Sequence, residues 1–291
     1  TQSTGVEVTI NTKNIDTRDF KWSTDFTFTA YKDRWKERTP DWKPGIYERV
    51  DDPIRPIYAR LADHILQIGE KAPKAQPDLR PGEIVIKDIN GYARDKNNQP
   101  IVDENGRFVL TGEPDGIIDD ADNVLLGSQD PGWLAGITNT LRYKDFDLSI
   151  QFNGMFDRRM QDPTEMAYGL GGGDLARYGY NALRKIKDRW TWDNPSTTQP
   201  TSFNGWNNNY TSGDWYYQKA WFIRLTNISL GWTLPRTLIS RTKVLSRVRL
   251  SLSASNLFCI TPYKGLDPET DYYAAAYPNA RTYSMGINVT F

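Results

Sequence analysis

Several kinds of residue are scarce in this chain of 291 residues, and each scarcity excludes a class of protein. The chain has 1 cysteine, Cys259, so it holds neither an internal disulfide framework nor a Cys-x-x-Cys metal or redox motif. It has no run of about 18 apolar residues, which excludes a transmembrane helix. The formal net charge is +0, so nothing favours a nucleic acid or an acidic surface as a partner.

Catalytic motifs are scarce as well. The only histidine, His64, has no Ser or Cys motif beside it, and we expect it to be structural or solvent-facing. No spacing singles out a pair of Asp or Glu residues for glycoside hydrolysis. We interpret Cys259 as a small packed thiol. The sequence therefore predicts no catalytic residues and no enzyme activity.

Aromatic residues, by contrast, are abundant and fall in alternating patterns. The chain has 10 Trp and 16 Tyr, although its hydrophobic content is only 38%. In the last ten residues, Thr282–Phe291, apolar side chains alternate with polar ones, which is the period of a β-strand. Six further segments alternate in the same way: Val6–Ile10, Phe20–Ala30, Ala135–Tyr143, Phe146–Phe156, Ile223–Leu234 and Val248–Ala254. The phase of the fifth segment slips, which predicts a β-bulge at Thr226-Asn227.

The links between the seven segments are alternately short and long. The short ones are Asn11–Arg18, Lys144-Asp145 and Pro235–Ser246, and the long ones are Lys32–Trp133, Asp157–Ala220 and Cys259–Ala280. Outer-membrane β-barrels combine brief periplasmic turns with extended external loops, and their strands turn apolar side chains to lipid and polar ones to a wet lumen. We therefore predict an all-β chain of about seven antiparallel strands from a transmembrane barrel.

Seven strands are an odd number and too few to close a bacterial barrel, and open strand edges are not tolerated in lipid. We therefore expect residues 1–291 to be the C-terminal part of a larger barrel. The chain begins at Thr1 with neither an initiator methionine nor a signal peptide, so we expect either a mature chain or one whose N-terminal part is missing.

The long links carry helical patterns of their own. Asp52-Pro53 is typical of a helix start, and the apolar residues after it are Ile57, Leu61, Ile65 and Ile68, before Gly69. A second helix is predicted from Asp174, with Leu175, Tyr178, Ala182, Ile186 and Trp190 at helical spacing. Structured loops of this length usually bind something or pack against a partner.

Several motifs, in order along the chain, resemble SusC/RagA-type TonB-dependent transporters of Bacteroidetes. The motifs are an acidic run ending in Asp119-Asp120-Ala121-Asp122, Arg224–Pro235 (RLTNISLGWTLP), Ser255–Phe258 (SNLF), Tyr263–Glu269 (YKGLDPE) and Tyr277–Tyr283 (YPNARTY). The resemblance implies the last third of a 22-stranded barrel, without the plug domain and the TonB box.

The resemblance also implies a function. It implies part of an outer-membrane importer of a Gram-negative bacterium, which takes up glycan or oligopeptide nutrients. The implied partners are the N-terminal plug and barrel portion, a SusD-like lipoprotein lid, TonB and outer-membrane lipid, with no nucleic acid. Two alternatives remain open: a siderophore or vitamin receptor with the same barrel, and a soluble Trp-rich carbohydrate-binding β-protein.

The acidic run is the strongest candidate for a metal site. It reads like the second half of an EF-hand-type calcium loop, with Gly116 at the turn position. A contiguous loop would begin at Thr111, a poor ligand, so we favour a split loop in which 92–114 is an insertion. The six expected calcium ligands are Asp88, Asn90, Asp115, Ile117 through its carbonyl, Asp119 and Asp122. The alternative is a solvated acidic turn whose carboxylates cap nearby backbone.

Aromatic residues in the second long link are the candidates for contact with the substrate or the lid, since aromatic faces stack on sugar rings and form rigid contact surfaces. These candidates are Trp192, Trp206, Tyr210 and Trp215. For Trp206 and Tyr210, plain packing within the loop is an equal alternative. Trp221 and the Tyr216-Tyr217 pair lie near a strand start, where girdle aromatics are expected.

Overall fold

The computed structural model describes residues 1–37, 39, 41, 52–104, 107–169, 179, 181–201, 213–270 and 276–291. Strands dominate this part of the chain. They are β1 (Gln2–Asp16), β2 (Phe20–Arg34), β3 (Pro56–Arg60), β4 (Ala62–Ile65), β5 (Ile84–Ile86), β6 (Asn123–Ser128), β7 (Trp133–Tyr143), β8 (Phe146–Phe156), β9 (Arg159–Gln161), β10 (Tyr217–Lys219), β11 (Phe222–Thr233), β12 (Arg247–Ser255), β13 (Cys259–Ile260) and β14 (Thr282–Thr290). Two short α-helices, α1 (Pro163–Tyr168) and α2 (Arg236–Ile239), lie between strands. Single 3₁₀ turns occur at Asp120–Asp122, Arg184–Asp188, Asp214–Tyr216 and Ser240–Thr242.

One antiparallel sheet organises the chain. Its strand order is β1-β2-β7-β8-β11-β12-β14, with β13 paired to β11, so each strand of the path neighbours the next long strand in sequence. These seven strands are the seven segments that alternate in the sequence, and the predicted all-β fold is confirmed. β1 extends to Asp16, which leaves a link to β2 shorter than the sequence suggested.

The predicted bulge in β11 is also confirmed. Leu225 pairs with Phe152 and Asn227 with Gln151, so Thr226 is the extra residue. A second register shift, between Lys13 and Ile15 of β1, gave no signal in the sequence. Beyond the β11 bulge, the even-numbered residues of the strand continue on the apolar face of the sheet.

The prediction of a helix after Asp52-Pro53 is wrong, because this segment forms β3 and β4. β3 pairs with β6 and β4 with β5. Ile57 and Ala59, two residues apart, are buried, whereas Ile68 is 50% exposed. The spacing of the apolar residues fits a helix, but alternate burial within β3 and distant pairing partners favour strands.

The second predicted helix is not formed in the described part of its segment, where Arg184–Asp188 is a 3₁₀ turn and Trp190 is buried. Asp174, Leu175 and Tyr178 lie outside the described residues.

Two rows of aromatic side chains cross the apolar face of the sheet. In the first, Tyr143 lies between Phe20 and Phe146, and Phe146 stacks on Trp232 with ring centroids 5.7 Å apart. In the second, Phe156 stacks between Trp133 and Trp221, with centroids 3.7 Å and 6.3 Å away.

The two aromatic rows are separated by ten residue steps along β7. This is about 33 Å of strand, or roughly 25 Å of height at the strand tilt of a membrane barrel, which matches the apolar band of outer-membrane proteins. The face between the rows is apolar and open. Exposed side chains on it include Leu230, Leu252, Tyr283, Met285 and Ile287.

The opposite face of the sheet carries hydroxyl, amide and charged side chains. Directly paired residues share a face, so Thr138 lies beside Asp25 and Gln151, and Ser253 beside Ser229 and Ser284. An ion pair between Arg249 and Asp147 crosses β11 where Gly231 leaves room. A water-filled space suits this face, whereas lipid suits the other.

One group of polar side chains interrupts the apolar face. Asn139 Oδ1 accepts hydrogen bonds from Trp22 Nε1 at 2.9 Å and from Thr24 Oγ1 at 2.7 Å. Asn14 Nδ2 donates to Thr24 Oγ1 at 2.7 Å, and Thr12 Oγ1 donates to Asn14 Oδ1 at 2.9 Å. Mutual hydrogen bonding lowers the cost of placing these groups next to lipid. Among the described residues, no helix has the length and apolar character needed to cross a membrane.

A charge placed on either face near the middle of the band tests this two-sided arrangement. Ile150 faces outward and Gln151 inward, at matched depth on β8. In the full-length protein, Ile150→Arg should destabilise the folded form by about 2 to 4 kcal/mol, whereas Gln151→Arg should be nearly neutral. Heat-modifiable gel mobility across a urea series measures both. Equal losses for the two variants would contradict the assignment of the faces.

Candidate functional site

The long links pack into a structured unit beside one end of the sheet. Its core is a cluster of Ile84, Ile86 and Tyr216. The partly buried side chains packed against this cluster are Ala62, Ile118, Ile186 and Trp215. These links therefore carry fixed surfaces on which functional side chains can be positioned.

The two halves of the acidic motif lie against each other. The Asp88 carboxylate accepts hydrogen bonds from the backbone N–H groups of Asp115 at 3.2 Å and Gly116 at 2.8 Å. The Asp122 carboxylate, which is 0% exposed, accepts from Ile89 N–H at 2.9 Å and Asn90 N–H at 3.2 Å. The chain between the halves leaves and returns through bridges that join Tyr92 to Leu110, Arg94 to Pro100 and Val102 to Phe108. The split arrangement thus brings the halves together.

The acidic side chains in the motif bond to backbone N–H groups. Asp119 accepts from Ala121 N–H at 2.8 Å, and Asp115 accepts from Ile117 N–H at 3.0 Å. Asp122 completes a capping box by accepting from Asp119 N–H at 3.0 Å. In the described ranges, no three His, Cys, Asp or Glu side chains form a group that could hold a metal. Calcium binding at this motif stays a prediction.

The motif nevertheless concentrates negative charge. Tyr92 lies beside it, and burial together with the charges of Asp119, Asp120, Asp122 and Asp115 raises the pKa of its phenol to about 12. Each carboxylate oxygen has a second lone pair, so backbone capping leaves acceptor capacity for a cation.

The predicted aromatic contact residues differ in exposure. Trp192 is 67% exposed, and its ring meets that of Trp190 edge-on at 5.4 Å. Trp190 is buried, and its Nε1 donates to Gln67 Oε1 at 3.3 Å, so Trp192 rests on a fixed support. Trp215 instead packs against the Ile84 cluster. Trp206 and Tyr210 lie outside the described residues.

His64 lies on β4, and its ring nitrogens are 2.9 Å from Asp63 Oδ2 and 2.6 Å from Glu70 Oε1. Burial opposes protonation, but hydrogen bonds to the two carboxylates outweigh it and raise the pKa of His64. His64 therefore lies in a partly exposed cluster with two carboxylates, and its structural or solvent-facing role stays a prediction.

Residues 261–270, which include the motif YKGLDPE, form a strap held against β11. The guanidinium of Arg224 anchors it, with Nη2 2.6 Å from Asp267 Oδ1 and Nε 3.1 Å from Glu269 Oε2. Arg224 and Asp267 are both buried. No sequence pattern predicts this pairing, because the partners are more than forty residues apart and lie in different elements.

Further hydrogen bonds fix the strap along its length. Tyr263 Oη donates to Gln161 O at 3.0 Å, and Thr261 Oγ1 donates to Trp221 O at 2.7 Å. Arg158 Nη1 donates to the carbonyl of Pro268 at 3.0 Å. The strap therefore links β11 to the strand pair β9–β10 and to the end of β8.

Curated relatives match the chain over its whole length. It is 27% identical over 316 residues to TonB-dependent receptor P3 of Formosa agariphila, covering 100% of this chain and 29% of that protein. It is 25% identical over 298 residues to TonB-dependent receptor SusC of Bacteroides thetaiotaomicron, covering 99% of this chain and 26% of that protein. No protein-family model matches. The relatives confirm the resemblance to SusC-type TonB-dependent receptors, and the chain spans less than a third of their length.

Solved structures agree on the fold. The structure of the RagAB peptide transporter superposes with a TM-score of 0.71 at 21% identity, covering 99% of this chain and 29% of that one. The RagAB peptide importer in its closed-closed state superposes with a TM-score of 0.62 at 22% identity. The described part of the chain therefore has the fold of a segment of these proteins.

Removal of the Arg224 side chain, which anchors the strap, should release the strap from the main sheet. Arg224→Ala leaves Asp267 buried without its counter-ion, which typically costs about 3 to 5 kcal/mol. Chemical unfolding of the full-length protein should show this loss, and limited proteolysis should cut within 261–270. The control is Lys21→Ala, which breaks the exposed Lys21–Asp16 pair and should change neither readout. If the Arg224 variant is as stable as the Lys21 variant, the ion pair does not hold the strap.

Proposed function

We propose that this chain forms one wall and the extracellular loops of a TonB-dependent outer-membrane importer of glycan or oligopeptide nutrients in a Gram-negative bacterium. The observation that carries the proposal is the two-sided sheet. Its apolar face spans roughly 25 Å between two aromatic rows, and its opposite face is lined by hydroxyl and amide groups. Such a sheet requires lipid on one side and water on the other, as in a transport barrel.

The proposed importer needs parts that this chain does not supply. We infer that residues 1–291 belong to the C-terminal portion of the barrel, and that a plug and the remaining strands come from the rest of the same protein. A SusD-like lipoprotein would cover the loops, and TonB would move the plug. The support is the match over the whole chain to receptors named for TonB and SusC, and the fold shared with the RagAB importer.

Among the described residues, Trp192 is best suited to contact the cargo or the lid, because its side chain is exposed. Its indole is 67% exposed and fixed from below by Trp190. A rigid, exposed aromatic face binds a sugar ring or a partner surface at little cost in conformational entropy. A soluble carbohydrate-binding protein would use such a residue equally well, but it would leave the broad apolar face of the sheet uncovered.

The direct test is whether the import of cargo depends on TonB. Uptake of fluorescent oligosaccharides and oligopeptides would be measured in the native bacterium, in a strain lacking the full-length transporter and in one lacking TonB. We expect accumulation of at least one cargo to stop in both mutants, with surface binding retained when only TonB is missing. Undiminished accumulation without TonB would refute the proposal.

We also propose that the acidic motif binds a structural calcium ion. The support is the apposition of its halves, which places Asp88, Asn90, Asp115, Asp119 and Asp122 in one compact region. The residues fit the ion in kind, since calcium prefers carboxylate, amide and carbonyl oxygens. A bound ion would relieve the repulsion among these carboxylates and stiffen the link between β5 and β6.

A chelator and a charge-neutral variant separate calcium binding from simple capping. In the full-length protein, calcium should raise the protease resistance of residues 88–122, and EDTA should remove that protection. Asp88→Asn keeps one of the two oxygens that accept from backbone N–H groups but loses the charge, so it should abolish the calcium effect. The matched control, Asp95→Asn, alters a capped turn in the insertion and should respond like wild type. Digestion that is identical with and without chelator would leave only the capping role.

A further inference from the structure

A pocket of about 370 Å³ lies between the strap and the polar face of the sheet. Its floor consists of two successive rows of inward-facing residues. Thr27, Gly136, Asn153 and Arg224 form one row, and Thr29, Leu134, Met155 and Phe222 form the next. The second row lies one step inside the aromatic row of Trp133 and Phe156, so the pocket lies at the outer end of the lumen wall.

The lining of the pocket has a polar and an apolar side. The polar side holds Thr27, Thr29, Asn153 and the bulge residue Thr226. The apolar side holds Leu134 and Met155. A side chain at Gly136 would come within 2.7 Å of Thr27 Oγ1 and 3.2 Å of Asn153 Oδ1, so glycine keeps the floor between them open. The volume suits one end of a ligand.

Among the residues that line the pocket, the one carboxylate is that of Glu269. Asp267 is fully engaged: it neutralises Arg224 and accepts from the backbone N–H groups of Glu269 at 2.9 Å and Asn279 at 3.0 Å. Glu269 uses Oε2 toward Arg224 and Asn279. Its Oε1 has no partner among the described residues, and its side chain is 37% exposed.

Two carboxylates thus share the single guanidinium of Arg224, and Glu269 is the one that lines the pocket. Arg158 lies nearby but does not line the pocket. Its guanidinium donates to the carbonyl oxygens of Gln129 and Pro268 and to Met155 Sδ at 3.8 Å, and its charge also interacts with that of Glu269. The lining thus combines one carboxylate with neutral hydroxyl and amide groups and with aliphatic side chains, and this combination is suited to a primary ammonium group on an apolar stem.

We propose that this strap pocket binds a primary amine of a peptide cargo, with Glu269 as the counter-ion of the ammonium group. The inference rests on the proposed import function and narrows it to cargo with free amino groups. The hydroxyls of Thr27 and Thr29 and the amide of Asn153 accept the remaining ammonium hydrogens or bond to the first peptide unit. Leu134 and Met155 contact the adjoining aliphatic carbons.

Chemical blocking of the amines on the ligand tests the proposed amine site without altering the protein. The probe is a tryptic digest of casein, used before and after complete acetylation of its primary amines. Immobilised full-length transporter would be incubated with each, and retained peptides would be quantified by mass spectrometry. We expect acetylation to lower retention about tenfold or more, the factor of one lost charge-assisted hydrogen bond.

Protein variants then assign the effect to the pocket. Glu269→Gln should abolish the preference for unblocked peptides, whereas Glu104→Gln, at an exposed position of the insertion at 92–114, should preserve it. The strap's proteolysis pattern serves as a check on folding, and only a variant with the wild-type pattern is scored. Gly136→Val, which fills the floor, is the second variant and should lower retention of unblocked peptides.

Equal retention of blocked and unblocked peptides, or no retention of either, would overturn the amine site. So would a Glu269→Gln variant that folds normally and keeps the preference. If uptake in the native bacterium still depends on TonB but the transporter retains only a neutral probe such as maltopentaose, the import function stands and the amine site alone is wrong.

Discussion

The structure depends on one constraint: the two faces of its main sheet need different solvents. Residues paired across β8 and β11 keep apolar side chains on one face and hydroxyls or amides on the other, through the bulge at Thr226. If the sheet were in water on both sides, the exposed apolar face would favour aggregation. In lipid on both sides, charges such as those of Arg249 and Asp147 would be costly. Only a boundary between lipid and water suits both faces.

The loop side of the molecule follows from the same constraint. In the proposed barrel, water lies beyond the outer aromatic row, so the long links can use charges and caps that the apolar face excludes. The buried Arg224–Asp267 pair is placed at this transition, where it fastens the strap to the start of β11. Fastening there holds the strap over the pocket on the polar face of the sheet. The acidic motif achieves order differently, since Asp88 and Asp122 bond to backbone from the opposite half.

The sequence predicts an element correctly where a local pattern decides its structure, and incorrectly where a partner distant in the sequence decides it. The alternation of apolar and polar residues predicts all seven long strands and the Thr226 bulge, because strand period and burial agree within each segment. It failed around Ile57 and Ile65, whose spacing fits a helix although pairing with β6 and β5 makes strands. The apposition of Asp88 with Asp115 was expected from the split motif, whereas the link from Arg224 to Asp267 had no local signal.

The most direct test of the two-sided sheet is a scan of solvent accessibility along β8 in native outer membranes. Single cysteines at successive positions from Phe146 to Phe156 of the full-length protein, in a Cys259→Ser background, would carry spin labels. Even-numbered positions should be accessible to oxygen and protected from a water-soluble nickel reagent, and odd-numbered positions should show the reverse. Equal accessibility of neighbouring positions to the nickel reagent would contradict the account.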